Sequence, residues 1–465
     1  MSTQDRATGA SADGSGPDNR LDLMDQAFYA GHHAVGQKEV MQVGWVYRNE
    51  VDFDGLERFR QELVTGLMGR LIQRSPLPFG RYRWVSAPKP TELDIAETAR
   101  PRAELGDWFD ECTQLPIDPE TGPGWRMSIV SLTDGSTAIS LVLSHYVIDG
   151  IGAALAVTEA VLGIPRDLGY PPPQSRSSLR ALLHDTGDTA RDAPSVARAL
   201  LAAVKEARHR QQDVSRAQAQ ASLLAAPPTS GADELVDVPN ILIRIPLDEW
   251  NARAEALGGT GSALAAAFTA KLDRHMGRLH GDTDVVTMLL TVNTRTMNDA
   301  RAVAVSFVRV GIDPDGVTTD LSDTRAAIKQ ALKAAQDTPD ESAELVPLTP
   351  FTPRRAWKQL MDYGFSDPER PAVCSNLGDS GPAAIRPDGT LCDAMFARGA
   401  SQHMTRGGLD RAGSQLQVFV GLSMEINQVG VCVRGYQEGA VTTRAALRDL
   451  AARTLSEFGL AGEID

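Results

Sequence analysis

Ser144-His145-Tyr146-Val147-Ile148-Asp149-Gly150, residues 144–150, closes the apolar run Leu141-Val142-Leu143 and leads into AALAVTEAVLG at 153–163. The run reads as a buried strand and the stretch after it as a helix. Upstream, WRMSIVSL (125–132) and TAISLVLSH (137–145) are separated by TDGS, and Asp-Gly between two apolar runs signals a hairpin. Residues 144–150 therefore form a loop between a core strand and a helix, where catalytic side chains are often presented. The loop places a histidine at the strand end and a carboxylate four residues on. A neutral imidazole with an ordinary pKa near ~6.5 accepts a proton from an alcohol or amine at neutral pH. The apolar flank would keep out water, the competing nucleophile.

Outward from this unit, Val40–Arg48 and GRYRWVSA (80–87) read as strands, and Leu56, Phe59, Leu63, Leu67 and Leu71 recur at helical spacing. Residues 1–20 are polar and rich in Gly, Ser and Asp, which predicts a disordered leader. Residues 21–165 form an N-terminal half carrying SHYVIDG. Residues 166–240 read as a crossover: a breaker-rich start, a helical stretch rich in Ala, Arg and Gln, then the loop-like APPTSGADELVDVPN. A C-terminal half, 241–465, opens with the strand ILIRIPL. It continues with a helix at Ser262–Leu279, strands at Asp284–Val292, Val303–Ile312, Leu416–Val420 and Gly430–Tyr436, and a closing helix at Thr443–Phe458. Hairpins mixed with helices predict two α/β layers rather than one doubly wound parallel sheet.

Composition narrows the function. The 465 residues hold 46 Lys+Arg against 60 Asp+Glu, a formal charge of -14 that opposes binding to nucleic acid. At 42% hydrophobic and 23% charged the balance is that of a globular protein. The four cysteines, 112, 374, 392 and 432, form no C-x-x-C pair, so neither a zinc site nor a dithiol motif is indicated. With no signal-like apolar region at the start and no apolar run long enough to span a membrane, a cytoplasmic protein is expected.

The segment 144–150 resembles the H-H-x-x-x-D-G signature of the condensation-domain and chloramphenicol acetyltransferase-like acyltransferase superfamily. LDLMDQAFYAG (21–31) and Pro123-Gly124-Trp125-Arg126, whose Trp125 stands twenty residues before His145, resemble the wax ester synthase/diacylglycerol acyltransferase-like branch. TVNTRTM, with Arg295, and Ser375-Asn376-Leu377-Gly378 resemble elements of the superfamily's C-terminal half. The departure is Ser144, where many members carry the first histidine.

The resemblance implies two chloramphenicol acetyltransferase-like subdomains in a V-shaped pseudo-dimer with a tunnel at their interface. It implies His145 as general base, and Asp149 paired with an arginine, for which Arg295 is the candidate, to hold the loop. Gly150 would permit the turn into the helix. Ser144, Trp125, Ser375 and Asn376 are candidate pocket residues. The donor would be an acyl thioester of CoA or of a phosphopantetheine carrier protein, and the acceptor a small alcohol or amine, with no metal or other cofactor. Ester or amide formation from a carrier-bound thioester, and a catalytically silent acyl-binding or docking module, use the same fold and stay open.

Other strings carry less. His32-His33 lacks the D-G and suits at most a channel wall. Gly378-Asp379-Ser380-Gly381-Pro382 is similar to a serine-protease nucleophile segment without a matching histidine segment. Cys374 reads as a buried inert thiol. The remaining histidines, 184, 209, 275, 280 and 403, show no metal spacing, and Lys205–Arg216 reads as a solvated helix face.

Overall fold

The computed structural model describes residues 18–87, 91–224, 231–278, 284–296, 298–337, 344–365, 367 and 369–465, with backbone alone over 204–224. Most of the expected leader lies outside these residues, as do His209, His280 and the Lys205–Arg216 side chains. The boundary at residue 20 is corrected. Asn19 is buried and its Nδ2 donates to the Trp84 carbonyl at 2.7 Å, while Arg20 bridges to Arg83, so order begins before residue 21.

The strands run β1 (Glu39–Tyr47), β2 (Arg70–Gln73), β3 (Arg83–Ser86), β4 (Leu93–Ile95), β5 (Trp125–Ser131) and β6 (Thr137–Ser144). After the crossover come β7 (Asn240–Pro246), β8 (Val286–Asn293), β9 (Val305–Ile312), β10 (Ala372–Asp379), β11 (Ala394–Ser401), β12 (Gln415–Ser423), β13 (Gln428–Tyr436) and β14 (Glu463–Ile464). One sheet has the order β11-β1-β6-β5-β4 and a second β14-β7-β13-β12-β10-β8-β9, while β2 and β3 form a ribbon. The expected hairpin is β5–β6, turning at Asp134-Gly135, where Gly135 has φ +86°.

Both faces of β1 and β6 are buried, which is why these strands read as unbroken apolar runs. Met41, Val43, Trp45, Ile139, Leu141 and Leu143 pack with the helices Phe53–Leu63 and Gly150–Val161. Val40, Val46, Ala138 and Val142 face the other way. They pack against Trp108 and Phe109 of the helix Leu105–Thr113 and against Leu242 and Cys432 of the second sheet. The second sheet buries its outer face under the helices Leu247–Ala256, Gly261–His275 and Arg444–Glu457.

The halves interlock. β11 lies inside the stretch assigned to the C-terminal half, yet it pairs antiparallel with β1 as the edge of the first sheet, from Glu39↔Ser401 to Val46↔Ala394. Gly44 admits this strand: a Cβ there would stand 2.2 Å from the Phe396 ring. In the crossover, the helical stretch is one long helix, Ser178–Leu224. No helix among the described residues is long and apolar enough to cross a membrane.

Candidate active site

β6 ends at Ser144, whose amide donates to the Gly124 carbonyl at 2.9 Å, and the next amide, His145, donates to the Glu39 carbonyl at 3.0 Å. These bonds fix the point where the chain leaves the sheet. Asp149 then caps the helix Gly150–Val161, its Oδ1 accepting from the Gly152 amide at 2.7 Å. Its Oδ2 accepts from Arg295 Nη2 at 2.8 Å and from the Ala304 amide at 2.7 Å. Both side chains are about as buried as a core leucine, 2% exposed for Asp149 and 3% for Arg295. Arg295 also donates to the carbonyls of Asp299, Arg301 and Ala302 at 3.1–3.2 Å. The structure thus brings Asp149 and Arg295 together and ties the 145–149 loop to the 294–304 loop.

Two residues of this clamp were missed from the sequence. The fully buried Arg70 donates from Nε and Nη2 to the Val147 carbonyl, and from Nη1 to the Ala300 carbonyl, with its guanidinium 4.0 Å over the Trp84 ring. Asp25, on the helix Leu23–Val35, accepts from the Ala302 and Val303 amides at 2.8 Å each. Burial pushes the Asp25 carboxyl up to about 7 against the pull of those two amides. Nothing local marks either residue: Asp25 sits between Met24 and Gln26, and Arg70 opens a four-residue strand.

Gly150 has a different reason from the one expected. Its φ is not left-handed, so the turn itself does not require glycine. Instead, a Cβ there would stand 3.0 Å from Leu377 Cδ2 of the other half. The glycine permits close approach between halves.

His145 is partly buried, its Nδ1 fully so and without a hydrogen-bond partner of good geometry among the described residues. Burial lowers its pKa below the usual 6.5, outweighing the proton-favouring pull of its own backbone carbonyl, Asp149 and Glu39; His32 adds to the lowering. The Phe28 ring meets the imidazole edge-on at 5.3 Å and His32 at 4.5 Å, so His32 lies one ring away from His145. Tyr146 OH donates to the Gln37 carbonyl at 3.1 Å and accepts from the Glu39 amide at 2.9 Å, which pins β1 beside the histidine.

An open cleft lies between the halves. Gly150, Ala154 and Val157 form one wall, Leu377, Gly378 and Gly421 the opposite one, and Met395–Ala397 of β11 the floor. None of the four candidate pocket residues lines it. Ser144 and Trp125 are in the core of the first half. Ser375 is buried and accepts from Thr291 Oγ1 at 2.8 Å, and Asn376 donates to Ser262 Oγ at 2.8 Å. The reason is a register shift between Asn376 and Gly378 in the β10–β12 pairing, and such a bulge re-aims side chains. Leu377 is what reaches the cleft. Its apolar character was not legible because it comes from β11, β12 and one helix face, distant in sequence.

A second, polar cavity of about 260 Å³ is lined by Gln37, Asp233, Ser401, Gln402, His403 and Arg411, among others. Gln37 links it to Tyr146. His184, Asp185 and Asp188 are the one metal-like group among the described residues, but Arg83, Arg176 and Arg191 already pair with these carboxylates. The cluster fits an ion-pair network. Ser380 donates to the Leu422 carbonyl at 3.3 Å, and burial pushes the Cys374 thiol up to about 11, so neither presents an activated nucleophile.

No family model matches the chain, and no curated protein matches it by sequence. Solved structures do match by fold. The first condensation domain of the calcium-dependent antibiotic synthetase, in complex with a substrate analogue, aligns with a TM-score of 0.56 at 14% identity, over 95% of this chain and 96% of that one. The trichothecene 15-O-acetyltransferase TRI3 from Fusarium sporotrichioides aligns with a TM-score of 0.55 at 13% identity, over 97% and 96%. The nonribosomal peptide synthetase FmoA3 aligns with a TM-score of 0.51 at 16% identity. There the match covers 97% of this chain but 45% of the other, so this chain spans under half of its length. The expected two-subdomain α/β architecture is the one these proteins share.

Proposed function

We propose that this chain, built on the fold of condensation domains and an O-acetyltransferase, moves an acyl group from a thioester to a hydroxyl or amine, with His145 as general base. The observation that carries this reading is the state of His145: held at the end of a core strand, kept neutral by burial, and set on a loop clamped by Asp149, Arg295 and Arg70. Its neutral ring, with Nε2 unprotonated, takes the proton of the attacking O–H or N–H. The nucleophile adds to the thioester carbonyl, the tetrahedral oxyanion collapses, and the thiolate leaves and is protonated. Product and free thiol account for every atom. Binding both substrates at once supplies proximity, so no acyl-enzyme and no metal is required by this scheme. Asp149 and Arg295 do not touch the reacting atoms in it; they hold the loop that does.

Donor class is the open variable. CoA and a carrier-protein phosphopantetheine arm present the same thioester. The test is thiol release with product mass detection, using matched acyl-CoA and acyl-carrier donors against pooled alcohols and amines. Acceptor-dependent release with an acylated product supports the proposal, and the preferred donor separates CoA-dependent transfer from carrier-dependent condensation. Saturable thioester binding without release from either donor contradicts it and favours a silent acyl-binding module.

A further inference from the structure

We infer that the cleft between the halves takes an extended apolar acyl chain, and that Gly421 sets how much chain it admits. This rests on the acyl-transfer reading and deepens it. The cleft walls are mostly apolar, with Val43, Ala154, Val157, Leu377, Met395 and Phe396 among them. Val43 stands four residues from Glu39 along β1, and the Glu39 carbonyl holds the His145 amide. At ~3.3 Å per strand residue, Val43 lies about 13 Å along β1 from the residue whose carbonyl holds the His145 amide. A group whose carbonyl reacts at His145 extends as far as Val43 only when it is long and extended. An acetyl group does not.

The glycines in the cleft wall differ in what they answer to. A Cβ at Gly150 would press on Leu377 Cδ2 at 3.0 Å, as described. Gly378 has φ +74°, which a larger residue adopts only with strain. Gly421 has neither reason. Its φ is not left-handed, and a Cβ built on it meets nothing within 4 Å. It lies in the interior of β12, where glycine weakens a strand unless another group approaches closely. The paired glycine on β13, Gly430, does have such a group, the Met395 carbonyl 3.4 Å from its would-be Cβ. At Gly421 the protein supplies none, and the empty space is the cleft. Phe419, two residues earlier and so on the same face of the strand, packs in the cluster with Phe396 between the sheets. A side chain at 421 therefore points into the cleft.

The experiment measures binding of S-alkyl-pantetheine thioethers, ethyl, hexyl and dodecyl, to the full-length protein by calorimetry, with thiol release from the matching acyl thioesters in parallel. Wild type is expected to bind dodecyl at least tenfold more tightly than ethyl. Gly421→Leu is expected to reduce that dodecyl-to-ethyl preference at least tenfold. Ala154→Leu, which narrows the cleft from the facing helix, gives the same readout if Gly421→Leu fails to fold. Affinity independent of chain length, or a folded variant with an unchanged preference, overturns the inference. Length-dependent binding that Gly421→Leu abolishes, without thiol release, leaves the inference standing and sinks acyl transfer. Acyl transfer with no length dependence does the reverse.

Discussion

Replacing Arg295 by methionine removes the charge that Asp149 Oδ2 meets at 2.8 Å while keeping most of the side-chain volume. With exposures of 3% and 2%, neither partner has water to fall back on. Breaking a buried pair from one side costs ~3–5 kcal/mol, because the remaining charge is left uncompensated. Asp149→Ala is expected to cost a similar amount, with ~1 kcal/mol more for the lost helix cap at Gly152. The double variant leaves no orphan charge. Its cost should stand near that of either single variant rather than at their sum, a coupling of ~3–5 kcal/mol, at or above the top of the range for contacting residues. Urea unfolding followed by far-UV circular dichroism reads all four corners of the cycle. Against a typical total stability of ~5–15 kcal/mol, the single variants stay measurable in most of that range. Additivity within ~0.5 kcal/mol, or single costs below ~1 kcal/mol, would refute the view that this pair holds the His145 loop.

Two further predictions concern pH. A base acts unprotonated, and burial lowers the His145 pKa, so kcat/KM should be level above pH 6.5 and fall only on further acidification; an acid limb centred above 6.5 contradicts this. Asp25 runs the other way: its folded pKa, about 7, is raised from 3.8, so the folded state binds the extra proton. Its contribution to stability is full below ~4 and is lost as pH rises through 7. Asp25→Asn should flatten that decline in urea midpoints between pH 5 and 8. An unchanged pH slope in the variant would show that another group titrates.

The local units of this fold were legible because their patterns are local. The β5–β6 hairpin announced itself through Asp134-Gly135, and the helix Phe53–Leu63 through Leu56, Phe59 and Leu63. β11 was not legible. AMFARGAS is poor in β-branched residues, and it is a strand because Gly44 opens a place for Phe396 against β1. The same division runs through the site. The Asp149–Arg295 contact was anticipated by resemblance, and the geometry places the two side chains together. Arg70 and Asp25 escaped because their work is to satisfy backbone groups of loops far away in sequence: Val147 and Ala300 for one, Ala302 and Val303 for the other. The cleft wall was not legible for a third reason. A bulge after Asn376 turns Leu377, rather than Ser375 or Asn376, toward the cleft.

The measurement closest to the central claim is the transfer rate of His145→Ala beside wild type, on the best donor and acceptor from the thioester panel, with thioester affinity measured for both. Loss of a general base predicts a rate lower by ~10²–10⁴-fold with donor affinity retained. A folded His145→Ala protein that transfers the acyl group at the wild-type rate would contradict the account.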